Sequence, residues 1–105
     1  MSIEQVILVI YTTKYRLGGH QFPVVARTIA DERAEAGFGG EVITRAVESK
    51  RDVLQAIAEI RDAGKLIKEF HFVGHSMMGK VAQYLCAHYG ERLKSAVAYL
   101  PLKQE

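Results

Sequence analysis

Residues 70–80, which read FHFVGHSMMGK, decide how this chain folds. The apolar residues from Phe70 to Val73 are typical of a strand, and the short polar turn after them contains Ser76. From about Met77 the sequence takes on the apolar spacing of a helix. A strand, a tight turn and a helix in this order predict one βα unit of a parallel sheet, with a serine at the turn.

The same alternation extends on both sides of this stretch. Strands are expected from Gln5 to Thr12, from Glu41 to Val47, from Lys68 to Gly74 and from Ser95 to Leu100. The first strand has no polar alternation, which is typical of a strand buried on both faces of a sheet.

Three helices are expected between the strands, and each carries a start or stop signal. The first begins at Pro23 and closes at Gly37, and the third runs from about Met77 to Tyr89. The second is capped by Ser49, has Asp52 three residues on, and ends at Gly64.

The order β-α-β-α-β-α-β predicts an α/β protein with three layers, a four-stranded parallel sheet between helices on both faces. The sequence contains no internal repeat, low-complexity tract or linker, so we expect residues 1–105 to form a single α/β domain.

The composition of the chain restricts its partners and its location in the cell. The chain is 49% hydrophobic and 25% charged, with a net charge of +2, which argues against nucleic acid or an anionic membrane as a partner. The apolar run from Val6 to Tyr11 is about a third of a membrane span. Cys86 is the single cysteine, so no intramolecular disulfide can form. We expect a soluble, cytoplasmic protein.

The turn at Ser76 also falls at a functional position of the predicted sheet. Reactive groups of parallel α/β sheets gather at the carboxyl ends of the strands. The sequence Gly74-His75-Ser76-Met77-Met78-Gly79 resembles the Gly-His-Ser-Met-Gly-Gly nucleophile elbow of the α/β-hydrolase family. The similarity extends to about Pro101, while the two earlier βα units match the family in architecture only.

The resemblance implies a strand order of 2-1-3-4 and a serine hydrolase that cleaves an ester or thioester. It assigns Ser76 as the nucleophile and the backbone N–H of Met77 as an oxyanion donor. Thr12 or Thr13 would lie near the second donor, and we place Thr12, Thr13 and His75 at the substrate.

Two departures from the family pattern bear on activity. Met78 stands where the family has the second elbow glycine. The acid and the histidine that the family supplies follow strands that come after those seen here, so the match covers only the nucleophile-bearing half of that fold.

A general base could come from two sources. His20 and Glu48 follow the first and second strands at the same edge, so a Ser76–His20–Glu48 relay is one hypothesis. Alternatively a partner chain supplies the acid and the histidine. The plainer interpretations are that His20 is a solvated loop residue, Glu48 an acid at a helix start, and Ser76 an N-cap.

Gly74 to Lys80 also has the spacing of a phosphate-binding loop, although Val81 replaces the Ser or Thr that would bind Mg²⁺. A degenerate nucleotide-binding protein is therefore a third alternative, beside a hydrolase and a non-catalytic interaction module of the same fold. No cofactor and no metal site is expected, because the histidines and the cysteine lack ligand spacing. We expect Cys86 in the core, His71 as a satisfied structural residue and His88 exposed.

The fourth strand, Ser95 to Leu100, is apolar and forms an edge of the predicted sheet. Exposed edges of this kind invite pairing with another chain. We therefore expect a homodimer, formed through this edge or through helices packed across a two-fold axis.

Overall fold

The structure, a computed structural model, describes the backbone of residues 3–12, 21–75 and 79–99, and the side chains of residues 3–12, 21–74 and 83–92. Its elements are β1 (Gln5–Thr12), α1 (Phe22–Glu35), β2 (Glu41–Val47), α2 (Lys50–Asp62), β3 (Leu66–His75), α3 (Gly79–Tyr89) and β4 (Leu93–Tyr99). None of the helices in these ranges has the length and apolar character needed to span a bilayer.

The strands form one parallel sheet in the order β2-β1-β3-β4. β1 lies inside the sheet and pairs with β2 along one edge and with β3 along the other. The α/β class, with a parallel sheet and three helices, is thus confirmed.

β1 is buried on both faces, as the absence of polar alternation predicts. Val6, Leu8 and Ile10 pack in one apolar cluster, while Ile7 and Val9 pack in another on the opposite face. Each of these five side chains is 0% exposed. Burial of such a side chain contributes roughly 1.5–3 kcal/mol, so this strand supplies much of the stability of the sheet.

The helices divide between the two faces. α1 contributes Ala26 and Ala30 to the cluster around Ile7 and Val9. α2 and α3 pack on the other face, where Val53, Ile57, Ile60 and Leu85 join the larger cluster. The small alanines of α1 let its backbone lie close to the sheet.

α2 has both end signals that the sequence predicts. Ser49 is extended, with φ −154°, and its Oγ accepts a hydrogen bond from the N–H of Asp52 at 3.4 Å. At the other end Gly64 has φ +78°, a conformation that favours glycine. The N–H of Lys65 then donates to the carbonyl of Ile60, which satisfies the last turn of the helix.

Two strands begin two residues earlier than predicted, β3 at Leu66 and β4 at Leu93. The backbone of Gln5 pairs with Leu66, and Phe70 pairs with Leu93. Pairing with a neighbouring strand extends both strands past the positions that local sequence signals indicate.

Candidate active site

The carboxyl ends of the strands meet at one edge of the sheet. In the register of the sheet Thr12 pairs with Val47, and His75 pairs with Tyr99. β3 lies between β1 and β4, so the turn that follows His75 leaves an interior strand. This edge is where parallel α/β sheets place their functional groups.

The segment of sequence between β3 and α3 is short. β3 ends at His75 and α3 begins at Gly79, so three residues separate strand and helix. Ser76, Met77 and Met78 lie outside the described residues, as does the side chain of His75. Their roles as nucleophile, oxyanion donor and substrate contact stay predictions.

Gly74, the first glycine of the elbow sequence, occupies a position where an added side chain would be crowded. A Cβ placed on it would lie 2.6 Å from Cζ of Phe72 and 3.3 Å from Cγ2 of Thr12. Phe72 and Thr12 are themselves 1% and 0% exposed, so neither side chain can relieve the contact by turning out into solvent. The strand therefore reaches the turn through a close contact that favours glycine.

Thr12 is the one predicted substrate-side residue whose side chain the structure describes. It ends β1, is fully buried, and lies beside Gly74 on the neighbouring strand. The structure thus brings Thr12 next to the strand that leads to Ser76. Thr13, the alternative residue near the second oxyanion donor, lies outside the described residues.

The two residues of the hypothetical relay are not brought together by the described part of the chain. Glu48 is exposed just after β2, and its backbone N–H donates to Oδ2 of Asp52 at 2.8 Å. β1 separates β2 from β3, which puts Glu48 two strand spacings, or about 10 Å, from the end of β3. An imidazole would have to bridge that gap, and His20 lies outside the described residues.

His71 is satisfied in the strand interior, as predicted. It is 7% exposed, and its Nε2 lies 3.0 Å from Oε1 of Glu69, a distance at which a protonated Nε2 donates to the carboxylate. Both side chains project from the same face of β3, because they are two residues apart on a strand.

Sequence reasoning singled out His71 but missed both Glu69 and the third member of this group. Arg33 on α1 reaches the other oxygen of Glu69, with its guanidinium nitrogen 3.1 Å from Oε2. Glu69 is 5% exposed, so this carboxylate depends on its partners to compensate for its burial. The pair ties α1 to the middle of β3, away from the carboxyl edge, and its place in the fold is structural.

The prediction that Cys86 lies in the core is wrong, because this residue is exposed. Leu85, its neighbour on α3, is fully buried, and a rotation of about 100° per residue moves Cys86 off the narrow face that contacts the sheet. His88 is exposed as predicted. Its ring stacks on Tyr84 with centroids 4.3 Å apart, and Nζ of Lys50 lies 4.4 Å from the same tyrosine ring.

Among the described residues, no group of three or more His, Cys, Asp or Glu side chains is arranged to hold a metal ion. Comparison of the chain with protein-family models, with curated proteins and with solved structures finds no match. The α/β-hydrolase resemblance therefore rests on the sequence from Phe70 to Pro101.

Proposed function

We propose that this protein carries a serine nucleophile of the α/β-hydrolase type and cleaves an ester or thioester through an acyl-Ser76 intermediate. The observation that carries the proposal is the junction of β3 and α3. It leaves an interior strand at the carboxyl edge, three residues separate the two elements, and it is entered through Gly74, where an added Cβ would crowd the ring of Phe72.

In the proposed reaction Oγ of Ser76 attacks the carbonyl carbon of the substrate while a base removes the hydroxyl proton. The N–H of Met77 stabilises the oxyanion. Collapse of the tetrahedral intermediate expels the alcohol or thiol, which takes up the proton from the base. Water then attacks the acyl-Ser76 carbonyl, giving the free acid and restoring the hydroxyl.

The base is proposed to be His20, oriented by Glu48, or a histidine of a partner chain. Glu48 lies at the end of β2. It can orient His20 towards Ser76 only if the imidazole of His20 lies across the end of β1, between β2 and β3. An experiment can distinguish the two sources of the base, because substitution of His20 removes the base only if this chain supplies it.

The test is labelling of the purified protein with a fluorophosphonate, which reacts with activated serines. Loss of labelling in Ser76→Ala is expected, and loss in His20→Ala would assign the base to this chain. Ser49→Ala is the matched control, because Ser49 is a structural N-cap of α2 and its loss should cost about 1 kcal/mol without changing labelling. A wild-type protein that is not labelled would refute the hydrolase proposal.

The competing proposal is a non-catalytic interaction module, and one observation favours it. In the described part of the chain β4 pairs with β3 only, so the second edge of its backbone is open to another strand. A homodimer formed through Ser95 to Leu100, or through helix packing, would follow. Sedimentation velocity at increasing concentration tests this, and a monomer throughout would contradict it.

No observation in the described part of the chain favours the third alternative, a nucleotide-binding protein. Gly74 and His75 belong to β3, so little chain is left to wrap a phosphate. Mg²⁺-dependent binding of a nucleoside triphosphate that is lost in Lys80→Ala would favour it.

A further inference from the structure

A cleft of about 230 Å³ opens between α2 and α3 at the amino ends of β3 and β4, far from the carboxyl end of β3. Its lining combines apolar and cationic side chains and contains no carboxylate. The lining residues are Ile57, Arg61, Lys65, Leu66, Ile67, Tyr89 and Arg92.

The floor of the cleft is apolar and preformed. Ile57 and Ile67 are 7% and 6% exposed, and both belong to the main core cluster. Tyr89 is held against Phe70, with ring centroids 4.9 Å apart and an interplanar angle of 52°. An apolar cavity of about 150 Å³ holds benzene, so this cleft has room for a chain of about six to eight carbons.

The rim carries three cations, two of which already have partners. Nζ of Lys65 lies 3.0 Å from Glu41 and 3.7 Å from Glu4. The pKa of Lys65 is raised, chiefly by the hydrogen bond to Glu41 and then by the charges of Glu4 and Glu41. Lys65 is therefore positively charged at neutral pH. Arg61, in the last turn of α2, faces Asp62 at 3.6 Å and also complements the helix dipole.

Arg92 is different, because it forms no ion pair with any side chain in the described part of the chain. Its backbone is nevertheless fixed. The N–H of Arg92 donates to the carbonyl of Tyr89 at 2.8 Å, and its own carbonyl accepts from Phe70 at 2.8 Å. A Cβ on Gly90 would lie 2.8 Å from the carbonyl oxygen of Cys86, so the turn requires glycine.

We propose that this cleft binds a medium-chain carboxylate, with the alkyl chain over Ile57 and Ile67 and the carboxylate at Arg92. A carboxylate is the partner that a guanidinium recognises with two parallel hydrogen bonds. Arg92, whose guanidinium has no ion-pair partner in the described part of the chain, selects an anion, and the apolar floor selects a molecule with a hydrocarbon tail.

This site does not depend on the proposed hydrolase activity. β3 is 10 residues long, so its two ends lie about 30 Å apart and the cleft cannot share a ligand with Ser76. Failure of one proposal leaves the other standing.

The test is an amide NMR titration of the full chain with octanoate, octylammonium and acetate. Octanoate should shift the amides of Ile67, Tyr89 and Arg92 and reach saturation, while the other two ligands should not. Arg92→Glu should weaken octanoate binding by roughly tenfold or more. Arg51→Glu, an exposed cation in the first turn of α2, is the matched control and should change the affinity less than about twofold.

Equal shifts from octylammonium, or unchanged affinity in Arg92→Glu, would overturn the proposal. So would an octanoate titration without shifts in these amides. If Arg92→Glu instead lowers the sedimenting mass while octanoate has no effect, the cleft belongs to an interface with a second copy and the ligand proposal is wrong.

Discussion

Substitution of Gly74 by alanine tests the packing that leads into the proposed nucleophile turn. The new methyl group would lie 2.6 and 2.9 Å from two ring atoms of Phe72 and 3.3 Å from Cγ2 of Thr12. The ring of Phe72 is the end of a side chain, but it is buried in the core and cannot swing into solvent. The contact must therefore be relieved by a shift of the ring or of β3.

The size of the effect follows from similar overpacking in other cores. Forcing one carbon into a filled space costs about 1–3 kcal/mol of unfolding free energy. For a domain of this length that corresponds to a fall in melting temperature on the order of 5–20 °C.

Urea unfolding followed by circular dichroism measures this cost. Gly39→Ala is the matched control, since no atom lies within 4 Å of the Cβ position of Gly39. Phe72→Leu adds a second test, because it removes the ring atoms that cause the clash. The double variant Gly74→Ala/Phe72→Leu should be more stable than the sum of the two single changes indicates.

The reasoning is refuted if Gly74→Ala unfolds at the same urea concentration as Gly39→Ala. It is also refuted if the effects of Gly74→Ala and Phe72→Leu are simply additive, because the ring would then not be the obstacle.

Three further predictions concern side chains away from the turn. Arg33→Met should lower the unfolding free energy by about 1–2 kcal/mol, because it leaves the buried carboxylate of Glu69 without its guanidinium. Arg45→Met, at an exposed pair, should cost clearly less in the same urea experiment. The hydrogen bond and charge of Arg45 lower the pKa of Glu59, so this pair stabilises the fold above the usual pKa of 4.5 and loses that effect as the pH falls through the lowered value. Carboxyl NMR should show the Glu59 pKa return towards its usual range in Arg45→Met, and an unchanged titration would contradict the contact. Cys86 should react with a thiol reagent in the native protein as fast as in urea, and a native rate slowed by orders of magnitude would mean that it is covered.

The elements of this fold that carry local signals could be predicted from the sequence. β1 and β2 have the bounds expected from their β-branched runs. Ser49 caps the start of α2, and Gly64 follows its end, as predicted. These signals are local because caps and turn glycines act on residues within one helical turn.

Other features depend on contacts that the sequence does not encode locally. The early start of β3 comes from pairing with β1, some 60 residues earlier in the chain. His71 was expected to be satisfied in the strand, but its partner Glu69 was not identified, and nothing nearby in the sequence points to Arg33. The prediction for Cys86 was wrong because the spacing of apolar residues does not show how wide the buried face of α3 is.

Some features of the candidate site could likewise be predicted from the sequence, and others could not. The sequence alone indicates the strand, the turn and the helix around Ser76, since their signals are contiguous. The packing of Gly74 against Thr12 joins two strands far apart in the chain, so only the folded structure reveals it.

The central place of β1 has a consequence for how the protein opens. Both hydrogen-bonding edges of this strand are occupied, and Val6 to Ile10 are sealed on both faces. Its amide protons can meet solvent only when the sheet separates on one side and the helices leave one face. Their exchange with deuterium should therefore be the slowest in the described chain and should report the free energy of global unfolding, while the amides of the edge strands exchange through smaller, local openings.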